Sequence, residues 1–248
     1  RPAIAWDGEA YAIAWAWYNS RVYLQRIAPD GTPVSDATCL NCDEPSGAGS
    51  VSIAVGPEEL GVAYDDGAGT VKLARADAAG SPLGPPTTVS SGTAQRPSVA
   101  WADGAWAIVW YDRRDTQDGI YLNRVDAAGT LLGPEVEVDG DEAYSWDPSV
   151  VWTGAELQVG WAGADGAFHG LFLRRLDPTG QPLGAPIRLP GGDMPYPRCS
   201  LVWNGSRPAL LRDADELAVP RPAQLRLVSC CLDRDGDGVG RCDGDCDD

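Results

Sequence analysis

The chain contains a five-fold internal repeat, and this feature limits the possible folds more than any other. The clearest copies are "AWDGEAYAIAW" at 5–15, "AWADGAWAIVW" at 100–110 and "VWTGAELQVGW" at 151–161. Weaker copies are "AVGPEELGVAY" at 54–64 and "VWNGSRPALL" at 202–211. Self-similarity at a fixed period indicates an array in which one supersecondary unit is stacked several times.

A second marker keeps the same register as the first. Four turn sequences, "APDGTPV", "DAAGSPLG", "DAAGTLLG" and "DPTGQPLG", carry a glycine at intervals of 49, 49 and 51 residues, at Gly31, Gly80, Gly129 and Gly180. A strand arginine repeats at the same intervals, and a further step of 51 residues reaches the last of the series: Arg26, Arg75, Arg124, Arg175 and Arg226. Two independent markers in one register make a chance repeat untenable.

Each repeat reads as four short strands, which we designate A to D. In the third copy these are "PSVAW", "WAIVWYD", "IYLNRVD" and "PEVEVD", separated by Gly-containing turns. One four-stranded unit cannot bury both of its faces, and radial stacking of such units is the usual solution. We therefore predict an all-β fold, a five-bladed β-propeller built from four-stranded repeats of about 49 residues.

The predicted organisation is a propeller over residues 1–229 and a short metal-binding extension over residues 230–248. The predicted repeats span 1–47, 48–95, 96–146, 147–197 and 198–229. The segments "VWYDRRDTQDGIYLNRVDAAG" (109–129) and "RPAIAWDGEAYAIAW" (1–15) resemble the Trp-rich blades of secreted bacterial β-propeller proteins. The resemblance covers residues 1 to 228 and implies the architecture alone, because propellers host lectins, hydrolases and scaffolds alike.

The repeated tryptophans and arginines are predicted to be structural. Tryptophans end strand A in four copies and strand B in three: Trp6, Trp101, Trp152 and Trp203, then Trp15, Trp110 and Trp161. Because they follow the repeat, we expect them to fill the core between adjacent blades. We expect the repeated arginines to tie one blade to its neighbour.

The two faces of the predicted propeller differ. The A–B and C–D turns are short and regular, and we call their side the regular face. The B–C and D–A connections are long and different in every copy, and we call their side the irregular face. Variable loops on a repeated scaffold are where binding usually occurs. The candidate ligand-binding residues on the irregular face are Asp112, Arg113, Arg114, Asp115, Tyr144, Trp146 and Tyr196.

These residues suit a sugar, whose apolar ring face stacks on an aromatic side chain while its hydroxyl groups bind charged groups. The sequence favours a binding or interaction module over an enzyme, with a carbohydrate-binding lectin similar in architecture to the tachylectins as its most specific form. A glycan-cleaving propeller hydrolase is the alternative, with carboxylates drawn from Asp66, Asp112, Asp115 or Asp165, but no spacing selects a pair. A purely structural surface module is the third reading.

The segment "CLDRDGDGVGRCDGDCDD" (231–248) carries the predicted metal site. Alternate aspartates followed by glycine can converge on one calcium ion when the chain turns sharply. The twelfth position from Asp233 is Gly244, where an EF-hand has glutamate. The segment instead resembles the Asp-rich loops of thrombospondin type 3 repeats and the "DxDGDG...DCDD" metal-binding motif of secreted bacterial proteins. This resemblance implies seven ligands: Asp233, Asp235, Asp237, Asp243, Asp245, Asp247 and Asp248.

The net charge limits the kinds of partner that the protein can bind, and the cysteine content indicates its compartment. The formal net charge of −17 repels phosphate backbones and anionic membranes, so we expect no nucleic acid and no membrane insertion. The expected partner is a glycan or another surface protein. Seven cysteines, four of them within 230–246, indicate an oxidising compartment and a secreted or cell-surface protein.

The cysteines also allow a prediction of pairing. Cys39 and Cys42 share the loop "CLNC" and can close on each other. Cys199 begins a strand A on the irregular face, whereas Cys230 and Cys231 follow a strand C on the regular face, about 17 Å away by strand rise. A disulfide needs Cα atoms within about 7 Å. We therefore predict that Cys199 is a free thiol and that the remaining four cysteines pair among themselves.

Overall fold

The computed structural model describes residues 2–17, 21–44, 47–114, 118–140, 144–166, 168–189, 199–212 and 224–227. Every strand in this part of the chain belongs to one of five antiparallel sheets, and the strands of each sheet follow one another in chain order. The predicted all-β, five-bladed propeller is confirmed. The described residues contain no helix long and apolar enough to cross a membrane.

The first two sheets are complete. The first consists of β1 (Ala3–Trp6), β2 (Tyr11–Trp17), β3 (Arg21–Ile27) and β4 (Thr38–Cys39). The second consists of β5 (Val51–Val55), β6 (Glu59–Asp65), β7 (Val71–Asp77) and β8 (Thr87–Thr88). Each sheet corresponds to one predicted repeat, with its strands in the order A to D.

The remaining three sheets follow the same plan. The third consists of β9 (Ala94–Ala102), β10 (Ala105–Asp112), β11 (Gly119–Asp126) and β12 (Val136–Glu137). The fourth consists of β13 (Tyr144–Trp152), β14 (Leu157–Asp165), β15 (Phe168–Leu176) and β16 (Ile187–Leu189). The described strands of the fifth are β17 (Cys199–Trp203), β18 (Pro208–Arg212) and β19 (Gln224–Leu227).

The repeated glycine serves a turn that only glycine enters without strain. In the second sheet Gly80 has φ of 91° and its amide donates to the Asp77 carbonyl. The Asp77 carboxylate accepts from the amides of Ala79 and Ser81 at 2.9 and 2.8 Å. Asp-x-x-Gly therefore folds the C–D turn of the second, third and fourth sheets by local hydrogen bonds, whereas the first sheet has Ala28 at the aspartate position.

A repeated serine joins the first strands of neighbouring sheets. The hydroxyl of Ser52 accepts from the Val99 amide at 3.2 Å, and the hydroxyl of Ser98 accepts from the Val150 amide at 3.1 Å. The third bond of the series runs from the Leu201 amide to the hydroxyl of Ser149, at 2.9 Å. The second to fifth sheets are thereby linked in sequence around the propeller axis.

Two strand B tryptophans confirm the core prediction, Trp15 is half-buried, and one strand A tryptophan contradicts the prediction. Trp110 and Trp161 are fully buried, and their rings stack on Tyr121 and Phe172 of the adjacent strand. Trp6 is 47% exposed, so its assignment to the core was wrong. The equivalent Trp101 packs against the second sheet near Gly56, whereas the Trp6 ring lies 4.8 Å from the Tyr11 ring of its own sheet.

The repeated arginines act mainly within a blade, which corrects the second structural prediction. Arg26 pairs with Asp7 at 2.5 Å, and Arg175 pairs with Glu156 at 2.8 Å, each in its own sheet. Both carboxylates belong to the A–B turn, so the arginine fastens strand C to that turn. Arg75 does the same through Glu59 at 3.1 Å and also reaches the next sheet, as predicted, where it donates to the Ala127 carbonyl.

Candidate functional site on the irregular face

The structure describes five of the seven predicted ligand-binding residues. Asp115 and Tyr196 lie outside the described residues, as do all seven predicted calcium ligands. Asp112, Arg113, Arg114, Tyr144 and Trp146 are described, and all five lie on the irregular face, where strand B ends and strand A begins.

Asp112 and Arg114 bind each other and their own scaffold. The Arg114 guanidinium lies 2.6 Å from Asp112 and 2.5 Å from Glu135, and it donates to the Ser91 carbonyl at 2.9 Å. Its plane also covers the Tyr121 ring at 3.9 Å. Asp112 is fully buried and accepts from the Trp110 indole at 3.2 Å. The two side chains therefore hold the third sheet together beneath the surface.

The pKa of Arg114 reflects this arrangement. Burial alone would lower it, but the hydrogen bonds to Asp112 and Glu135 raise the pKa above its usual range. A guanidinium held by two carboxylates and an aromatic ring has little freedom to reach a ligand.

Arg113, the neighbour of Arg114 in the chain, points outward. Its side chain is 65% exposed and lies 3.4 Å from Asp118. Tyr111 lies close to both groups: burial, followed by a hydrogen bond to Asp118, raises the pKa of Tyr111 to about 12, while Arg113 and Arg96 oppose the rise. Tyr111, Asp118 and the two arginines thus form one polar cluster.

The two aromatic residues of β13 differ in role. Tyr144 is 57% exposed and is the described aromatic residue of the predicted set that a ligand can stack on. Trp146 is half-buried and packs against the apolar cluster that contains Val151, Leu201 and Cys199. Part of Trp146 therefore supports the junction of the fourth and fifth sheets.

Two residues that the sequence reasoning missed mark the start of strand A. Arg96 and Asp147 occupy equivalent repeat positions, each before a proline, and both have left-handed φ angles of 53° and 56°. In each sheet the pairing register shifts at this point, so that Arg96-Pro97 faces Trp110 and Asp147-Pro148 faces Trp161 as a β-bulge. Proline is tolerated there because the bulge does not require its missing amide.

The two bulges are linked by their side chains. The Arg96 guanidinium lies 3.3 Å from the Asp147 carboxylate, with 49% of the arginine side chain and 15% of the aspartate side chain exposed. Left-handed non-glycine residues cost about 1–3 kcal/mol and cluster at functional sites. The sequence did contain a signal for these two residues. Arg96-Pro97 and Asp147-Pro148 place opposite charges before a proline at the same repeat position.

Asp65 anchors the backbone of this region. Its carboxylate accepts from the amides of Gly49 and Ser50 at 3.0 and 2.9 Å, and from the Arg96 amide at 3.4 Å. The carboxylate is buried, so it fixes the entry of two first strands without being available to a ligand.

The regular face offers a competing cleft of about 250 Å³ between the first and second sheets. Its lining includes Arg26, Asp7 and Glu59. Arg26 is paired with Asp7, and Glu59 accepts from Arg75 and from the Trp106 indole. These three side chains are therefore engaged in the scaffold, while Glu9 and Glu58 make the rest of the charged lining acidic.

The described residues contain no group of three or more His, Cys, Asp or Glu side chains able to hold a metal ion. The predicted Cys39–Cys42 disulfide is present. Cys199 is a buried free thiol, as predicted, and burial raises its pKa.

Comparison with known proteins supports the fold. No family model matches the sequence, and no curated protein matches it. Among solved structures, a protein of unknown function from Dyadobacter fermentans aligns with a TM-score of 0.65 and 13% identity, over 91% of this chain and 77% of that one.

Two further similar structures are named as GH43 proteins. A GH43_1 enzyme from Xanthomonas citri, solved with xylose, has a TM-score of 0.55 and 13% identity over 95% of this chain and 87% of that one. The xyloglucan GH43B protein of Bacteroides ovatus has a TM-score of 0.56 and 15% identity over 95% of this chain. This chain spans 53% of the Bacteroides ovatus protein. At these identities the likeness establishes a propeller fold shared with glycoside hydrolases.

Proposed function

We propose that this protein binds a carbohydrate on the irregular face, where the first strands of the third and fourth sheets begin. The observation that carries the proposal is the Arg96–Asp147 ion pair, set on two strained bulges at 3.3 Å and partly exposed. Tyr144 lies three residues before Asp147 on the same strand and exposes more than half of its surface. An exposed aromatic ring beside planar charged groups is the usual chemistry of a sugar site.

The polar groups around this pair suit hydroxyl recognition. Arg96 donates through Nη1 to Asp147, which leaves its remaining N–H groups for ligand oxygens. Tyr111 and Asp118 lie in the same cluster and supply a further hydroxyl and carboxylate. Several fixed donors and acceptors can thus orient a sugar ring against Tyr144.

Cleavage of the glycan is the second candidate, and the GH43 names of the structural neighbours favour it. A glycosidase needs one carboxylic acid with a raised pKa and a second carboxylate across the scissile bond. Asp139 has the raised pKa, at about 6, but it is 1% exposed. The Asp147 side chain is only 15% exposed and is already paired with the Arg96 guanidinium at 3.3 Å, so it is not free to protonate a leaving group. The local chemistry therefore supports binding better than cleavage.

Calorimetric titration with xylo- and arabino-oligosaccharides tests binding. We expect Tyr144→Ala and Arg96→Gln each to weaken binding at least about tenfold, equivalent to about 1.4 kcal/mol. The matched control is Tyr11→Ala, because Tyr11 is an exposed tyrosine of the regular face. An equal loss in the control, or binding that neither site variant changes, would refute the location.

Release of reducing ends from the same oligosaccharides tests cleavage. If the protein is a hydrolase, Asp147→Asn and Asp118→Asn should abolish turnover while binding persists. Binding without any released reducing ends would support lectin-like binding and exclude cleavage of these oligosaccharides.

We further propose that the aspartates of 233–248 bind calcium and that the protein is secreted, with the Cys39–Cys42 disulfide supporting an oxidising compartment. Without a closing glutamate the affinity should fall near 10⁻⁴–10⁻³ M, roughly the range of extracellular modules. Titration with calcium should yield heat that is lost when residues 233–248 are deleted. Equal heats before and after the deletion would exclude the segment as the site.

A further inference from the structure

Two tryptophans of the third sheet fill its interface with the second sheet on the regular face. Trp101 of β9 and Trp106 of β10 are register partners, and their ring centroids lie 4.8 Å apart. Both pack against the second sheet: a Cβ atom at Gly56 would lie 3.3 Å from the Trp101 ring, and one at Gly61 would lie 2.7 Å from the Trp106 ring. The Trp106 indole also donates to Glu59 at 3.1 Å. This interface is therefore closed by two indole rings and one indole hydrogen bond.

The two equivalent positions at the interface between the first and second sheets hold smaller side chains. Val55 of β5 and Leu60 of β6 are register partners and take the places of Trp101 and Trp106. Neither aliphatic side chain can fill the space of an indole ring or donate a hydrogen bond. Both residues line the cleft of about 250 Å³ between these sheets. The cleft thus lies where the neighbouring interface is filled by tryptophan.

A hydrogen bond that crosses the neighbouring interface is also missing here. Between the second and third sheets, Arg75 donates to the carbonyl of Ala127 in the C–D turn. The equivalent residues at the first interface are Arg26 and Ala78, and both line the cleft. In the described part of the chain no hydrogen bond joins them, because the Arg26 guanidinium is bonded to Asp7 of its own sheet. The cleft is the same kind of interface in an open form.

The charge of the cleft favours a cation. Glu9 and Glu58 occupy equivalent positions in two A–B turns, both are exposed, and both line the cleft. Among the described residues neither forms an ion pair. The other carboxylates of the lining are neutralised by arginine in the pairs Asp7–Arg26 and Glu59–Arg75. Two uncompensated negative charges therefore remain beside the apolar wall.

We propose that this cleft is a second binding site, for a small organic cation that carries an aromatic ring. The ring enters between the first and second sheets and contacts Val55 and Leu60, in the place that tryptophan occupies at the next interface. The cationic group binds Glu9 and Glu58, whose carboxylates accept charge-assisted hydrogen bonds. The volume exceeds the roughly 150 Å³ of an apolar protein cavity that takes up benzene, so there is room for a bicyclic ring.

This site is independent of the proposed carbohydrate site. The cleft is formed by A–B and C–D turns of the regular face, whereas the carbohydrate is proposed to bind on the irregular face. The two sites can therefore be tested separately, and failure to bind any oligosaccharide would not affect this inference.

The first test is a titration of the whole chain with tryptamine, followed by saturation-transfer NMR of the ligand. Tryptamine joins an indole ring to an ammonium group that is charged at neutral pH. For a ligand of this size we expect saturable binding with a dissociation constant on the order of 1 mM. Indole-3-acetate, which has the same ring and a negative charge, should bind at least about tenfold more weakly. No saturation by roughly 10 mM tryptamine, or equal affinity for the two compounds, would overturn the proposal.

The second test fills the cleft from within. Val55→Trp supplies the ring that the other four repeats carry at this position, so it should weaken tryptamine binding at least about tenfold. Val34→Trp is the matched control, because Val34 is an exposed valine of a C–D turn that does not line the cleft. Wild-type affinity in a folded Val55→Trp variant, or an equal loss in the control, would place the ligand elsewhere and refute the site.

The third test removes the charges without altering the core. Glu9→Gln combined with Glu58→Gln changes two exposed side chains, so this variant should fold even if Val55→Trp does not. Its affinity for tryptamine should fall at least about threefold, while its affinity for neutral indole should stay unchanged. Tyr144→Ala, on the irregular face, should leave tryptamine binding intact. Undiminished tryptamine binding in the glutamine variant, or loss of binding in Tyr144→Ala, would contradict the proposal.

Discussion

The Arg96 guanidinium contacts the Asp147 carboxylate at 3.3 Å, and each residue occupies the same bulge of a different sheet. Both have left-handed φ angles, so the strain is repeated along with the scaffold. The proline that follows each residue fixes the bulge, and Asp65 holds the Arg96 amide. The propeller thereby presents two opposite charges side by side at the beginning of its inner strands.

The strain at Arg96 can be measured by comparing two truncations. Arg96→Gly and Arg96→Ala both remove a half-exposed ion pair worth about 0–1 kcal/mol. Only glycine accepts a φ of 53° without cost. We therefore expect Arg96→Gly to be more stable than Arg96→Ala by about 1 kcal/mol in urea unfolding. If alanine is the more stable variant, the left-handed conformation carries no strain.

The contribution of each repeated serine to the free energy of unfolding should depend on how deeply the serine is buried. Ser149 accepts from the buried Leu201 amide, and Ser149→Ala leaves that amide unpaired. We expect a loss of about 1–2 kcal/mol in the free energy of unfolding. Ser200→Ala, at the equivalent but exposed position of the fifth sheet, is the control and should change stability by less than about 0.5 kcal/mol. Equal losses would show that the hydroxyl itself does not link the sheets.

A glycine in strand B makes room for a tryptophan of the next sheet. A Cβ atom at Gly61 would lie 2.7 Å from the Trp106 ring, which is fully buried and donates to Glu59. Gly61→Ala should therefore destabilise the protein by about 1–3 kcal/mol through overpacking. Gly133→Ala is the control, because nothing lies within 4 Å of its Cβ position. Thermal unfolding of the two variants decides whether Trp106 is rigidly held.

The sequence was sufficient to predict the sheets because their causes are local. Period-two alternation and Asp-x-x-Gly turns repeat in one register, and Trp110 and Trp161 occupy the buried positions that the register predicts. The prediction that Trp6 lies in the core was wrong because the burial of Trp6 depends on a neighbouring sheet, which no pattern within its own repeat reveals. The prediction for the arginines was only partly right for a similar reason: Arg75 does reach the next sheet, but Asp7 and Glu156 lie in turns that the strand pattern does not connect to strand C.

The candidate site was harder to predict because it depends on contacts between distant residues. Arg113 and Arg114 look equivalent in the chain, yet Arg114 is held by Asp112 and Glu135 while Arg113 is exposed. The pairing of Arg96 with Asp147 joins residues 51 positions apart. Such pairs follow from how the sheets stack, so repeat register indicates only that the two positions are equivalent.

Arg113 and Arg114 supply the last prediction. Arg114→Ala leaves the fully buried Asp112 carboxylate without its cation, a loss that costs about 3–5 kcal/mol in buried pairs. Because a quarter of the Arg114 side chain is exposed, we expect the lower end, about 3 kcal/mol. Arg113→Ala breaks only an exposed pair at 3.4 Å and should cost less than about 1 kcal/mol.

The double variant Asp112→Asn with Arg114→Ala isolates the buried charge. Asparagine can still bind the Trp110 indole without carrying a charge, so the double variant should recover part of the stability that Arg114→Ala loses. Urea unfolding of the wild type, Asp112→Asn, Arg114→Ala and the double variant provides the double-mutant cycle. If Arg113→Ala and Arg114→Ala were equally destabilising, or if Asp112→Asn made the loss larger, the stability of the third sheet would not depend on neutralising Asp112.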